Sequence, residues 1–154
     1  MEEWRLPWQG GCRCGRVRFT VTEPPLLAGA CHCAGCRKMS ASAYSLTLTL
    51  PSGGFVVSAG EPVIGGLHGP QSHHFHCPHC KSWMFTRAEG FDWFVNLRPT
   101  MLDEHLWFEP FVELWTRDKL PWAATPARHS FEADPPIEQW EMLMKAYAAE
   151  GRRP

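Results

Sequence analysis

Apolar and polar residues alternate along several short segments of the chain, with the two-residue period of a β-strand. From Arg16 to Thr22, Val17, Phe19 and Val21 alternate with Arg16, Arg18 and Thr20, the signature of a half-buried strand. Tyr44 to Leu50 repeats it, with Tyr44, Leu46, Leu48 and Leu50 on one side and Ser45, Thr47 and Thr49 on the other. Pro51-Ser-Gly-Gly breaks the chain before Phe55-Val-Val-Ser, and Ala59-Gly-Glu-Pro breaks it again. Further short strands are predicted at Ser72–His76, Trp83–Thr86, Trp93–Leu97 and Leu106–Leu114, the last with a bulge or an edge position at Pro110. Regularly spaced short strands point to a folded sheet or sandwich.

The C-terminal end reads differently. Ile137, Trp140, Leu143, Met144 and Tyr147 recur at helical spacing, with Glu138, Glu141 and Lys145 elsewhere on the wheel. Asp134 is the expected N-cap, the prolines after it suit a first turn, and Gly151 is the expected stop. Between sheet and helix, Thr116 to Ala133 contains Pro121 and Pro126 and reads as an extended connection anchored by Trp122.

Composition agrees with this picture. The 154 residues are 44% hydrophobic and 20% charged, a globular balance. Eight Trp and nine Phe stand beside fourteen Pro and thirteen Gly, which fits strands joined by tight turns. Net charge is −1 and no run of Lys or Arg exceeds two, so we expect neither a nucleic-acid partner nor a membrane one. No stretch approaches the ~20 apolar residues of a membrane span, and the N-terminal residues show no secretory pattern. A cytoplasmic, reducing location is therefore expected, where cysteines ligate metals or catalyse rather than form disulfides. Seven cysteines would also leave a disulfide framework with one thiol over.

Those seven fall into three groups: Cys12 and Cys14; Cys31, Cys33 and Cys36; Cys77 and Cys80. In an extended segment Cys12 and Cys14 point the same way, and Cys77-Pro-His-Cys80 has the spacing of a two-thiolate turn. Together they make a four-thiolate shell suited to structural zinc. Cys31-His-Cys33-Ala-Gly-Cys36 supplies three more thiolates and leaves a coordination position open, the usual form of a catalytic zinc. Gly35 is expected to permit a tight bend before Cys36. Two other arrangements compete. Cys33, Cys36, Cys77 and Cys80 also read as a single zinc ribbon, and His32, His73, His74, His76 or His79 can close the second site. His32 is the weakest of these because alternation points it away from its neighbours. We accordingly divide the chain into a zinc-binding β domain, 1–130, and a helical extension, 131–154, packed on the same domain.

Gly10-Gly-Cys12-Arg-Cys14-Gly, then Cys31-His-Cys33-Ala-Gly-Cys36-Arg-Lys, then Cys77-Pro-His-Cys80 resembles the glutathione-dependent formaldehyde-activating enzyme family over about residues 8 to 125. The resemblance implies a mainly β fold, the β-tent of folded sheets. It also implies two zinc sites: Cys12, Cys14, Cys77 and Cys80 structural, Cys31, Cys33 and Cys36 catalytic. The implied activity is that of a carbon-sulfur lyase of the S-(hydroxymethyl)glutathione synthase type, with glutathione or another small thiol and an aldehyde as partners. Many family members carry Gly after the last cysteine pair, where this chain has Lys81. Binding a fourth thiolate adds negative charge, so neighbouring cations are needed. Arg37 and Lys38 are the expected contacts, followed by Arg13 and Arg87, with Trp83 and Phe85 as cleft walls. Attack by zinc-bound hydroxide ranks lower, because charge-donating thiolate ligands make zinc a poorer acidifier of water and no acid adjoins the motifs, Glu89 being the nearest. The non-enzymatic alternative is a zinc-stabilised module that binds a protein or a thiol without turnover.

Overall fold

The computed structural model describes residues 3–67 and 69–154. Within them the chain is mainly β, with eleven strands and two helices. Strands β1 (Trp8–Gly11), β2 (Arg18–Val21) and β5 (Phe55–Ala59) form an antiparallel three-stranded sheet in the order β1-β2-β5. The larger sheet uses β3 (Leu27–Cys31), β4 (Ser45–Pro51), β6 (Val63–Ile64), β7 (Ser72–His76), β8 (Trp83–Ala88), β9 (Phe94–Leu97), β10 (Val112–Leu114) and β11 (His129–Ser130). Its order is β11-β10-β3-β4-β9-β8-β7-β6. Helix α1 (Ala34–Ser40) follows β3 directly, and α2 (Ile137–Glu150) ends the fold.

Alternation sets the core. Phe19 and Val21 of β2, Leu48 and Leu50 of β4, and Val95 and Leu97 of β9 are fully buried on the inward side of their strands, each such side chain contributing about 1.5–3 kcal/mol of burial. Phe85 stacks on Phe75 at 4.8 Å and meets Phe55 edge-on at 5.0 Å, tying the large sheet to the small one. Trp8 and Trp107 pack at 5.0 Å beside Trp4, and Tyr147 of α2 joins the same aromatic group. Helix α2 thus buries Leu143 and Tyr147 against the sheet.

Several details differ from expectation. The segment Leu106–Leu114 is a strand only over its last three residues, and β10 lies between β11 and β3 rather than at an edge. Leu106 is exposed, while Trp107 turns inward and donates its indole N–H to Glu104 O at 2.8 Å. Trp122 is 75% exposed and anchors nothing. The N-cap of α2 is Pro136, not Asp134. The Asp134 carboxylate instead accepts the Trp115 indole N–H at 3.1 Å. Ile137, on the helical stripe by spacing, is the first residue of α2 and is exposed.

Candidate metal centre

Four sulfurs meet at one end of the sheets. Cys12 closes β1, and Cys12-Arg13-Cys14-Gly15 is a tight turn rather than an extended segment. The Gly15 N–H reaches Cys12 O at 3.0 Å, with Gly15 in the left-handed region at φ 79°. The turn brings Cys12 Sγ and Cys14 Sγ to 3.5 Å, and Cys14 Sγ lies 3.7 Å from Cys77 Sγ. The Cys77–Cys80 turn supplies the fourth, and all four sulfurs lie within 4.8 Å of one another. Backbone N–H groups of Val17, His79 and Cys80 donate to Cys12 or Cys77 Sγ at 3.3–3.4 Å, which favours thiolates. Lys81 stands where a positive φ is required, at 62°. That explains why glycine suits the position elsewhere.

The second cluster forms where β3 runs into α1. Cys31 is the last residue of β3, Cys33 caps α1 by accepting the Cys36 N–H at 3.3 Å, and Cys36 sits in the first turns of the helix. Their three sulfurs also lie within 4.8 Å of one another. Gly35 makes no sharp bend. It is the second residue of α1, without a positive φ, and it leaves open space beside Cys33 Sγ. The grouping separates Cys33 and Cys36 from Cys77 and Cys80, so a single ribbon is not formed. Among the described residues neither sulfur cluster includes a histidine.

The thiols themselves call for a cation. Hydrogen bonding from Cys31 brings Cys36 down to about 5 against the effect of burial, and the same contact, with burial, drives Cys31 up. In the four-sulfur cluster burial pushes Cys80 up, but hydrogen bonds from Ser82 and its neighbours bring it to about 5. Cys14 is helped by the Arg16 N–H yet is pushed up to about 11 by burial and by its fellow cysteines. Thiols this close cannot all ionise on their own. A divalent ion removes that conflict. A tetrahedral zinc ~2.3 Å from each sulfur places neighbouring sulfurs ~3.8 Å apart, close to the 3.5 and 3.7 Å found. Both donor sets fit zinc.

Two buried polar groups flank the three-cysteine cluster: His32, whose turn away from the sulfurs follows the alternation, and Arg98, which the sequence did not single out. His32, between Cys31 and Cys33, turns away from the sulfurs and is fully buried, with Nε2 2.8 Å from Glu113 Oε2. Glu113 also accepts from Thr125 Oγ1 at 2.9 Å and Ser130 Oγ at 2.7 Å. Arg98 follows β9 and is 8% exposed. Burial lowers its pKa to about 10, while the charges of Cys36 and Cys31 oppose that shift. Its guanidinium lies over the Trp83 ring, 4.2 Å from the centroid. A cavity of about 330 Å³ opens beside it, lined also by Ser42, Tyr44, Ser45, Thr100 and Met101. Ser45 is the cross-strand partner of Cys31, which places the cavity next to the cluster.

The other sequence candidates are distributed around this arrangement. Arg37 and Lys38 occupy the last turn of α1, Lys38 exposed and Arg37 half-buried. Arg13 is exposed, and Arg87 lies over Phe55 and Phe85 farther along β8. Trp83 walls the cavity, whereas Phe85 belongs to the core. His74 Nδ1 pairs with Thr86 Oγ1 at 2.8 Å, and His73 lies 3.8 Å from Glu89.

The profile of the family described as glutathione-dependent formaldehyde-activating enzyme matches residues 7–118, which hold both cysteine clusters and Arg98. The chain belongs to that family. A crystal structure of a Rhodobacter sphaeroides protein, a structural-genomics target, superposes with a TM-score of 0.52 at 19% identity, covering 62% of this chain and 88% of that one. This second likeness is one of fold. No curated protein matches the sequence at a significant level. Among the described residues no helix is long and apolar enough to cross a membrane.

Proposed function

We propose that this glutathione-dependent formaldehyde-activating family member is a zinc-dependent carbon-sulfur lyase that joins a small thiol such as glutathione to formaldehyde and releases them again. The observation that carries this reading is the pairing of a three-sulfur cluster with an adjoining cavity that holds a buried cation. Cys31, Cys33 and Cys36 would hold the catalytic zinc, and Cys12, Cys14, Cys77 and Cys80 the structural one. Zinc bound by three thiolates keeps a substrate thiol ionised near neutral pH. In the synthetic direction the thiol sulfur bonds to the carbonyl carbon, the C=O π pair moves to oxygen, and oxygen takes up a proton; the lyase direction reverses each change.

The chain's own side chains bind and orient. Arg98 would offset the negative charge that builds up when a fourth sulfur joins three, and the Trp83 ring packs against its guanidinium at 4.2 Å. The Ser42, Tyr44 and Thr100 hydroxyls line the space open to the aldehyde. Arg37 and Lys38 extend the positive edge toward solvent for a larger thiol such as glutathione. Glutathione added to cobalt-substituted protein should shift the thiolate-to-metal absorption, and adduct formation should exceed the spontaneous rate. An unmoved spectrum together with an unchanged rate would refute the enzyme and favour a thiol-free binding module.

A further inference from the structure

We propose that the substrate thiol carries a carboxylate within one short arm of its sulfur, and that Arg98 receives this carboxylate in the cavity beside Cys31, Cys33 and Cys36. This rests on the thiol reading of the three-cysteine site given above.

A guanidinium offers five N–H donors in a planar fork. Among the described residues that of Arg98 makes a single hydrogen bond, Nη2 to Asn96 O at a long 3.5 Å, while Nε is buried with no partner. None of the ion pairs in the described structure involves Arg98, although it is 8% exposed. A buried cation with empty donors is costly unless an anion completes it. The cysteine sulfurs act on it through charge but accept no hydrogen bond from it. The Trp83 ring packs 4.2 Å from the guanidinium carbon, and the planar fork left unfilled is what a two-oxygen acceptor binds. Arg98 is itself a wall residue of the cavity, with Ser42, Tyr44, Thr100 and Met101 among the others that line it.

Size narrows the class. At about 330 Å³ the cavity is near the small end of ligand pockets, which run from ~300 to ~1,000 Å³. It holds a short mercapto acid, or the sulfur and one carboxylate arm of a longer thiol whose remainder stays outside.

The test titrates 3-mercaptopropionate and its uncharged counterpart 3-mercapto-1-propanol into zinc-replaced, cobalt-loaded protein and follows the thiolate-to-cobalt absorption. The acid should bind roughly tenfold or more tightly than the alcohol, as charge-assisted hydrogen bonds of about 1.5–3 kcal/mol imply. In Arg98→Gln, shown folded by circular dichroism, the acid should lose that advantage while the alcohol changes little. Arg98→Lys should recover only part of it, since a point charge lacks the fork. Equal affinities in the wild type overturn the Arg98 assignment and leave the thiol site standing, even if the variants do not fold. A preference that survives intact in Arg98→Gln overturns it as well. If neither thiol moves the absorption, both the thiol site and this inference fail.

Discussion

Glu113→Ala should cost the protein far more stability than a typical surface change. The carboxylate is buried in β10, accepts His32 Nε2, Thr125 Oγ1 and Ser130 Oγ, and so links the loop after β3 to two later segments. Each charge-assisted bond is worth about 1.5–3 kcal/mol, which sets an upper bound of roughly 5–9 kcal/mol for three. Removing the buried carboxylate also relieves its desolvation, several kcal/mol for a carboxylate in a protein. What remains is about 3–4 kcal/mol, in line with the ~3–5 kcal/mol seen when one partner of a buried charged pair is deleted. At a urea dependence of about 2 kcal/mol per M, the midpoint should fall by about 1.5–2 M. The comparison belongs on zinc-loaded protein at neutral pH, with Thr125→Val, which removes one of the three bonds to the carboxylate, expected to lose about 1.5–3 kcal/mol.

The pH dependence has a fixed sign. Burial pushes the Glu113 carboxyl up, but Ser130, His32 and Thr125 outweigh it and hold the group below its ordinary value of 4.5. A depressed folded value means the contribution is full above about 4.5 and is lost as pH falls through the lower folded value. The gap between wild type and Glu113→Ala should therefore shrink as pH falls below about 4.5. A midpoint shift under ~0.5 M at pH 7 would refute the reasoning, because the network would then carry less than a single ordinary hydrogen bond.

Other changes separate the parts of the structure. Cys36→Ser should lower bound zinc by one equivalent while far-ultraviolet circular dichroism stays native, whereas Cys80→Ser should unfold the chain or drop its midpoint sharply; equal damage from both would contradict separate roles. Lys81→Gly should stabilise by about 1 kcal/mol in urea, since it relieves a left-handed backbone at φ 62°. Among the described residues the Tyr147 hydroxyl is buried without a partner. Tyr147→Phe should therefore be neutral or raise the thermal midpoint, and a loss above ~1 kcal/mol would mean that the hydroxyl has a partner after all.

The two cysteine clusters were legible in the sequence because thiol spacing within each motif is a local property, and the same seven residues that suggested them come together in space. Alternation located β2 and β4, and short apolar runs between turn residues located β5, β7, β8 and β9. It missed β3, since Leu27-Ala28-Gly29-Ala30-Cys31 runs between two strands and is small and apolar on both faces. At Gly29 a Cβ would come within 3.3 Å of Val112 Cγ2, so the small residue eases the pairing with β10. Strand β1 was hidden by its two glycines, and α1 is too short for a helical period to register. The cavity residues lay beyond reach for a different reason. Arg98, Tyr44 and Trp83 meet only through the pairing of β4, β9 and β8, and single-sequence spacing does not show which strands become neighbours. Arg98 did fall on the polar side of its strand, opposite Val95 and Leu97, but nothing local marked it as buried.

Zinc K-edge X-ray absorption on the purified protein, with metal content measured on the same sample, tests the two-cluster account most directly. Two zinc per chain are expected, with sulfur dominating at ~2.3 Å and, averaged over both sites, between three and four sulfurs per metal plus a fractional light-atom ligand. One zinc per chain, or scattering from coordinated imidazole, would contradict it.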